Sequence, residues 1–210
     1  MSELDNRLKE LLRRTKITTK SRYRASERLE RHHKLSQWTV SLISAALVFV
    51  PLVQAFRISV GIDAIYLNAT QATLAVLVLV YSLLLGQENF VSRVHAMHRN
   101  GVELGRFARK LAGKGDDVPD NEYFHLAEEY YDILDKYENH KPVDYLYTRL
   151  ATTPTSRSEW VVYCGLWIKA RVTTMLIFSH YIIAMAFVGF IFYALFSGII
   201  SEARNVVIAR

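Results

Sequence analysis

The sequence predicts an all-α membrane protein: a two-span helical hairpin plus a third C-terminal transmembrane helix, with cytoplasmic amphipathic helices. Three observations predict it. The apolar residues are gathered into three blocks that carry almost no charge, although the 210-residue chain as a whole is only 51% hydrophobic and 22% charged. The basic residues crowd onto one side of the first block. Between the second and third blocks, apolar side chains recur at spacings of three and four, the period of one helix face.

The first block, residues 35–56, separates Lys34 from Arg57 by 22 positions with no formal charge. At about 1.5 Å of rise per residue, that length crosses a hydrocarbon core of roughly 30 Å. The second, 64–87, gives 24 uncharged positions between Asp63 and Glu88. The third, 172–200, holds His180 as its one histidine and no Asp, Glu, Lys or Arg, and is long enough to span with tilt. Buried helices of a soluble core usually run to about 10–14 residues, so three apolar stretches of this length would lack amphipathic partners to cover them.

Charge sets the expected orientation. Eleven Lys or Arg precede the first block, against Arg57 alone between the first two, which places the N-terminus in the cytoplasm and the 57–63 loop outside. Residues 88–171 then return to the cytoplasm, and the short tail 201–210 falls outside. The charged N-terminus has no signal-peptide pattern, so no cleavage is expected.

Segment 1–34 reads as a basic helical segment. Ser2 is a possible N-cap, and Leu4, Leu8, Leu11 and Leu12 form an apolar face. Thr15, Thr18, Thr19 and Ser21 predict a break or bend before a second helix that leads into the first span. After the second span, Phe90, Val94, Met97, Leu104, Phe107 and Leu111 predict that its helix continues as a stalk to about Leu111. Within it, Gly101 and Gly105 mark either close backbone contact or a bend, or merely a tolerated or broken helix. A turn follows over Gly113–Asp120, then an acidic, tyrosine-rich helix ending near Asn139, a short helix from Pro142 to about Leu150, a linker from Thr152 to Ser158, and an aromatic approach to the third span. Trp38, Trp160, Tyr163 and Trp167 have the character of interfacial anchors.

No catalytic constellation emerges, and no cofactor or metal is expected. His95 and His98 lie three apart and supply at most two ligands. Glu128, Glu129, Asp132 and Asp135 read as a solvated acidic face, and Cys164 as a buried, inert thiol. The basic N-terminal segment suits anionic lipid better than nucleic acid, for which Tyr23 is the sole interleaved aromatic. The spans carry polar groups that suit a self-associating bundle lining a pore as an oligomer: Ser41, Ser44, Gln54, Asn68, Thr70, Gln71, Thr73, Ser179, Ser197 and the ionisable His180. Ser41 with Ala45 and Ala194 with Gly198 permit close helix packing, and Pro51 a kink. The same features suit a passive anchor.

The basic helix Arg13-Arg-Thr-Lys-Ile-Thr-Thr-Lys-Ser-Arg-Tyr-Arg-Ala-Ser-Glu-Arg-Leu29, the two-span hairpin and the amphipathic helix beginning Gln87-Glu-Asn-Phe-Val-Ser-Arg93 together resemble the SLATT family. That name denotes a two-span effector domain associated with nucleotide-signalling and nucleotide-sensing modules of bacterial conflict systems. The continuation Ile133-Leu-Asp-Lys-Tyr-Glu-Asn-His-Lys-Pro-Val-Asp144 and the extra C-terminal span look like the branch found beside reverse transcriptases. The resemblance covers nearly the whole chain and rests on a pattern, with no catalytic motif; the third span departs from the two-span core.

It implies a non-enzymatic, membrane-disrupting or pore-forming effector of the bacterial inner membrane. Such an effector acts as a homo-oligomer when a sensor partner, a reverse transcriptase or nucleotide-signalling module, triggers it. The alternative is a membrane anchor that recruits a sensor. Opposite charges on the basic and acidic segments are expected to pair within or between subunits, with Arg22, Arg24 and Arg28 as the regulatory contact.

Overall fold

The computed structural model describes residues 3–114 and 118–208. The expected N-cap at Ser2, the centre of the Gly113–Asp120 turn and Arg210 lie outside them, as does the side chain of Leu4. Among the described residues every regular element is helical: α1 (Glu3–Ala55), α2 (Ala64–Glu88), α3 (Phe90–Ala112), α4 (Asp120–Asp135), α5 (Pro142–Leu150) and α6 (Arg157–Ile208). Three stretches, within Arg7–Ala55, Ala64–Ala112 and Arg157–Ser201, are long and apolar enough to cross a membrane.

The expected break near Thr15 does not occur; α1 runs through it. Thr15, Thr18 and Thr19 donate their hydroxyls to the carbonyls of Leu11, Arg14 and Thr15 at 2.8–3.0 Å, so each competes for the backbone inside the helix instead of ending it. The helix also carries Pro51, four residues before its end, where one missing N–H costs little further structure. The buried side of α1 follows a 3.5-residue repeat, with Leu8, Leu11, Thr15, Arg22, Ala25, Leu29, Ser36, Thr39, Ile43, Ala46, Val50 and Val53 all buried on the same seam.

The second expectation fails at one residue. The stalk predicted as a continuation of the second span is a separate helix, because Asn89 adopts a left-handed conformation (φ 43°, ψ 46°) that ends α2 before α3 starts. The acidic helix stops at Asp135, short of Asn139. The short helix from Pro142 to Leu150 forms as expected, with Pro142 at its first position. The linker is shorter than expected, since α6 begins at Arg157 and includes Trp160, Tyr163 and Trp167. Cys164, expected to be buried, is exposed on α6, because the inward seam of that helix passes through Ala170, Tyr181, Ala184, Val188, Ile191 and Leu195.

The helices build two compact units, one from Met1–Arg31 with Phe90–Met175, the other from His32–Asn89 with Leu176–Arg210. In the first, Leu8 and Leu11 of α1 pack with Leu104, Phe107 and Leu111 of α3 and Leu126, Tyr130 and Ile133 of α4. Gly101 and Gly105 remain helical; Gly101 lies against the Tyr23 ring, so the glycine marks close contact rather than a break. In the second unit, Ile43, Ala46, Val50 and Val53 meet Leu67 and Leu74 of α2 and Val188, Ile191 and Leu195 of α6. α2 buries only Leu67 and Leu74 and turns most of its apolar surface outward, as a lipid-facing helix does.

A Cβ at Gly198 would strike the backbone of Val60, whereas one at Gly86 meets nothing within 4 Å. Gly198→Ala is therefore expected to destabilise the membrane unit by about 1–3 kcal/mol, and Gly86→Ala to leave it unchanged or slightly better. Thermal unfolding of the two variants in detergent reads the difference.

Candidate functional site

The most unusual chemistry lies in the unit that contains α3, α4 and α5, where arginines of α1 enter its interior. Arg22 occupies a core position of the α1 seam and is 2% exposed. An arginine there must find acceptors or pay a large desolvation cost. It donates to the Glu138 carbonyl, which lies beyond the end of α4, and its guanidinium rests 3.7 Å from the Met97 sulfur on α3. Its Nε has no partner among the described residues. Burial lowers the Arg22 pKa, opposed by Tyr130, Glu138 and Asp144.

Arg28, less than two turns further along α1, makes the better-satisfied contact. Its Nε and Nη2 donate to the two oxygens of Asp144 at 2.9 and 3.1 Å, a bidentate pair. The side chains are 11% and 2% exposed, so water screens the pair little. Asp144 is placed for this by its own helix. It is the third residue of α5 and accepts the Lys141 backbone N–H at 2.9 Å, closing the helix start that Pro142 begins. The carboxylate thus serves as helix cap and arginine acceptor together.

Around these two arginines the packing is polar and close. Ser21 and Thr148 share a hydrogen bond at 3.1 Å, Ser26 donates to the Val94 carbonyl at 3.2 Å, and Asn100 donates to the Ile133 carbonyl at 2.9 Å. The Asn100 Oδ1 and His140 Nδ1 are buried without partners among the described residues. Burial first, then the nearby Arg22 cation, push the His140 imidazole below its ordinary value, with Asp144 opposing.

Arg24 is placed differently. It points outward and pairs with Glu27 at 2.9 Å, both side chains about half exposed. Exposed pairs also join Arg7 to Asp120 and Lys110 to Glu129. Glu10, partly exposed, has its pKa lowered to about 2 by hydrogen bonds from Arg13 and Arg14.

The residues expected to line a pore do not form one cluster in a single chain. Ser41, Asn68, Thr73 and His180 are exposed, while Ser44, Gln54 and Gln71 are half-buried. Gln54 donates to Asn68 at 3.0 Å, joining α1 to α2, and Thr73 returns its hydroxyl to the Ala69 carbonyl at 2.9 Å. The His180 ring stacks on Tyr81 and lies 3.9 Å from the Tyr181 ring. His95 and His98 are exposed on α3, and His98 faces the Tyr23 ring.

The sequence reading named Arg22 and Arg28 but missed Asp144, Ser21, Thr148, Asn100 and His140. A usable signal existed: Pro142-Val-Asp144 is a helix start whose aspartate stands where a capping carboxylate belongs. In the structure the buried side of α1 also passes through Arg22, between Thr15 and Ala25.

Two measurements check the site. Arg28→Ala and Asp144→Ala each strand a buried charge and are expected to cost roughly 3–5 kcal/mol, while the double variant costs well below their sum; unfolding midpoints in detergent give the cycle. His140 supplies the pH test. Unfolded His140 takes up a proton near its ordinary value of 6.5 and the folded group resists, so the unfolded state binds more protons below that pH. Stability falls as the pH drops through 6.5 towards the lowered folded value, and His140→Gln removes that part of the slope.

A family model described as SMODS and SLOG-associating 2TM effector domain family 5 matches residues 4–195. The match takes in the arginine site and most of the third apolar block, so the third helix lies largely within the family's extent and is not an appendage to it. No curated protein and no solved structure gives a match. With nearly its full length matched, the chain belongs to the SMODS and SLOG-associating 2TM effector domain family 5.

Proposed function

We propose that this protein is a non-catalytic effector of a bacterial conflict system that breaches the inner membrane as an oligomer when a sensor releases it. Family membership and three membrane-length apolar helices support the membrane role. The eleven basic residues before the first span favour a cytoplasmic N-terminus, where a cytoplasmic sensor reaches the arginine site. The resemblance to the branch beside reverse transcriptases makes a reverse transcriptase or a nucleotide-signalling module the fitting sensor.

The observation that carries the regulatory part is the buried Arg28–Asp144 pair beside Arg22. Burying such charges gains little net stability over an apolar core, but it fixes one arrangement and makes losing one partner costly. That suits a contact kept for switching. In this reading the pair holds α1 against α5 at rest, and α1, which continues as one helix into the first span, carries its release to the membrane. Outward polar groups such as Ser41, Asn68 and Thr73 then line the assembly or its seams.

Purified protein in dye-loaded liposomes tests this. Arg28→Glu is expected to raise leakage several-fold without any sensor, while Arg24→Glu, at an outward site, stays at the wild-type level. Vesicles that remain tight for Arg28→Glu and under every trigger, with the sensor still co-purifying, would contradict the effector reading and leave an adaptor.

A further inference from the structure

In the unit that contains α3 and α4, α1 and α4 turn their apolar sides toward each other and their charges apart. Leu8 and Leu11 of α1 pack with Leu126, Tyr130 and Ile133 of α4. At 100° per residue, Lys16 and Lys20 stand on the far side of α1 from that contact, and Phe124, Glu128, Tyr131 and Asp132 on the far side of α4. All six are exposed. Lys16, Lys20 and Asp132 have no ion pair among the described residues, and Glu128 is met by the exposed His125 at 3.6 Å. Nearby charges are already engaged, Arg13 by Glu10, Arg24 by Glu27 and Glu129 by Lys110. Beside the acids, Phe124 is 60% and Tyr131 55% exposed. α4 belongs to none of the three stretches apolar enough to cross a membrane, so lipid does not account for these rings.

The basic and acidic faces are matched in level. Arg7 bonds Asp120 at 2.8 Å and Thr18 bonds Tyr130 at 3.1 Å, sequence separations of 113 and 112, so α1 and α4 run parallel and residues at one height differ in number by that amount. Lys16 and Glu128 share the separation of 112, as do Lys20 and Asp132. Faces that point apart do not meet within one chain. Copies inserted in one membrane in the same direction are related by an axis along its normal, and α1 is a single helix from this unit into the first apolar block, so the axis runs close to the direction of α1 and of α4 beside it. Rotation about it moves a neighbour sideways without changing its height. Lys16 then stands opposite Glu128 of the neighbouring copy and Lys20 opposite its Asp132, with the lysine stems free to cover the Tyr131 ring. A basic face alone would fit any polyanion. A complementary acidic face on the same unit, at the same height and pointing the other way, fits a second copy.

We propose that the Lys16 and Lys20 face of α1 docks on the Phe124, Glu128 and Asp132 face of α4 in the next copy, a head-to-tail interface between copies of this chain. Each copy offers one face to each neighbour, and such a contact closes into a ring around the membrane normal where the rotation divides a full turn. Both faces are open while the Arg28–Asp144 pair is in place, so assembly precedes release. Exposed ion pairs are individually weak and screened by salt, and the two aromatic rings supply the contact area that the charges lack. This deepens the effector reading by naming the surface that builds the oligomer, and it rests on that reading only for its purpose.

The test is cysteine crosslinking of the full chain with Cys164→Ala, in zwitterionic vesicles at low salt. Under copper-phenanthroline oxidation, Lys16→Cys combined with Glu128→Cys is expected to give a ladder of disulfide-linked dimers, trimers and larger species. Either cysteine alone stays monomeric, as does Arg31→Cys combined with Glu128→Cys, which lie roughly 22 Å apart in level. Lys20→Glu in the ladder-forming protein should reduce the ladder several-fold and the further change Asp132→Lys should restore it, a rescue that a misfolded variant would not show. Absence of the ladder, an equal ladder from the off-level pair, or failure of the rescue overturns the proposal. A protein without the ladder that instead retains a labelled oligonucleotide also overturns it, assigning the basic face to an external polyanion. Dye release separates the two claims: leakage of Arg28→Glu without the ladder removes the interface alone, and the ladder in vesicles that stay tight for Arg28→Glu and under every trigger removes the effector reading alone.

Discussion

A cation on the buried seam of a helix is tolerated only where its surroundings satisfy it, and in this protein Arg22 imposes that condition. The α1 seam accepts small or apolar side chains at most positions from Leu8 to Val53, then places a guanidinium among them. The chain answers with the Glu138 carbonyl beyond α4, and six residues along α1 with the Asp144 carboxylate that also caps α5. Register, the position of α5 and the path after α4 are thereby tied to two arginines. A polar group at one core position of a heptad fixes register at a cost in stability, and the Nε of Arg22, which finds no partner among the described residues, is part of that cost.

The same requirement separates the arginines by function. Arg22, Arg24 and Arg28 are close in sequence and identical in charge, yet only Arg22 and Arg28 lie on the inward side. Arg24, about 200° around the helix from Arg22 at 100° per residue, meets solvent and Glu27. Surface pairs of that kind contribute little. The two inward arginines instead tie α1 to α5 and to the segment that follows α4.

Much of this was legible in the sequence because it is local. Charge-free blocks of membrane length announce the spans, and the spacing of Leu104, Phe107 and Leu111 announces α3. The misses are places where a single residue behaves against its average. Threonines that usually disfavour helices stay inside α1 by bonding the preceding turn, and Asn89 ends a helix by entering the left-handed region with no glycine to signal it. Cys164 followed the tendency of free thiols to be buried, but the phase of the α6 seam overrides that tendency. Asp144 escaped notice because its partner lies 116 residues away, a distance that no periodicity spans.

The central claim is that α1 resting against α5 keeps the effector closed. Ser21 and Thr148, whose hydroxyls are 3.1 Å apart in that contact, offer a direct way to hold it. With Cys164→Ala, Ser21→Cys and Thr148→Cys combined and the new pair oxidised, the account predicts that triggered dye release from liposomes is suppressed and returns when the disulfide is reduced. Release at the full rate with the disulfide intact would contradict it.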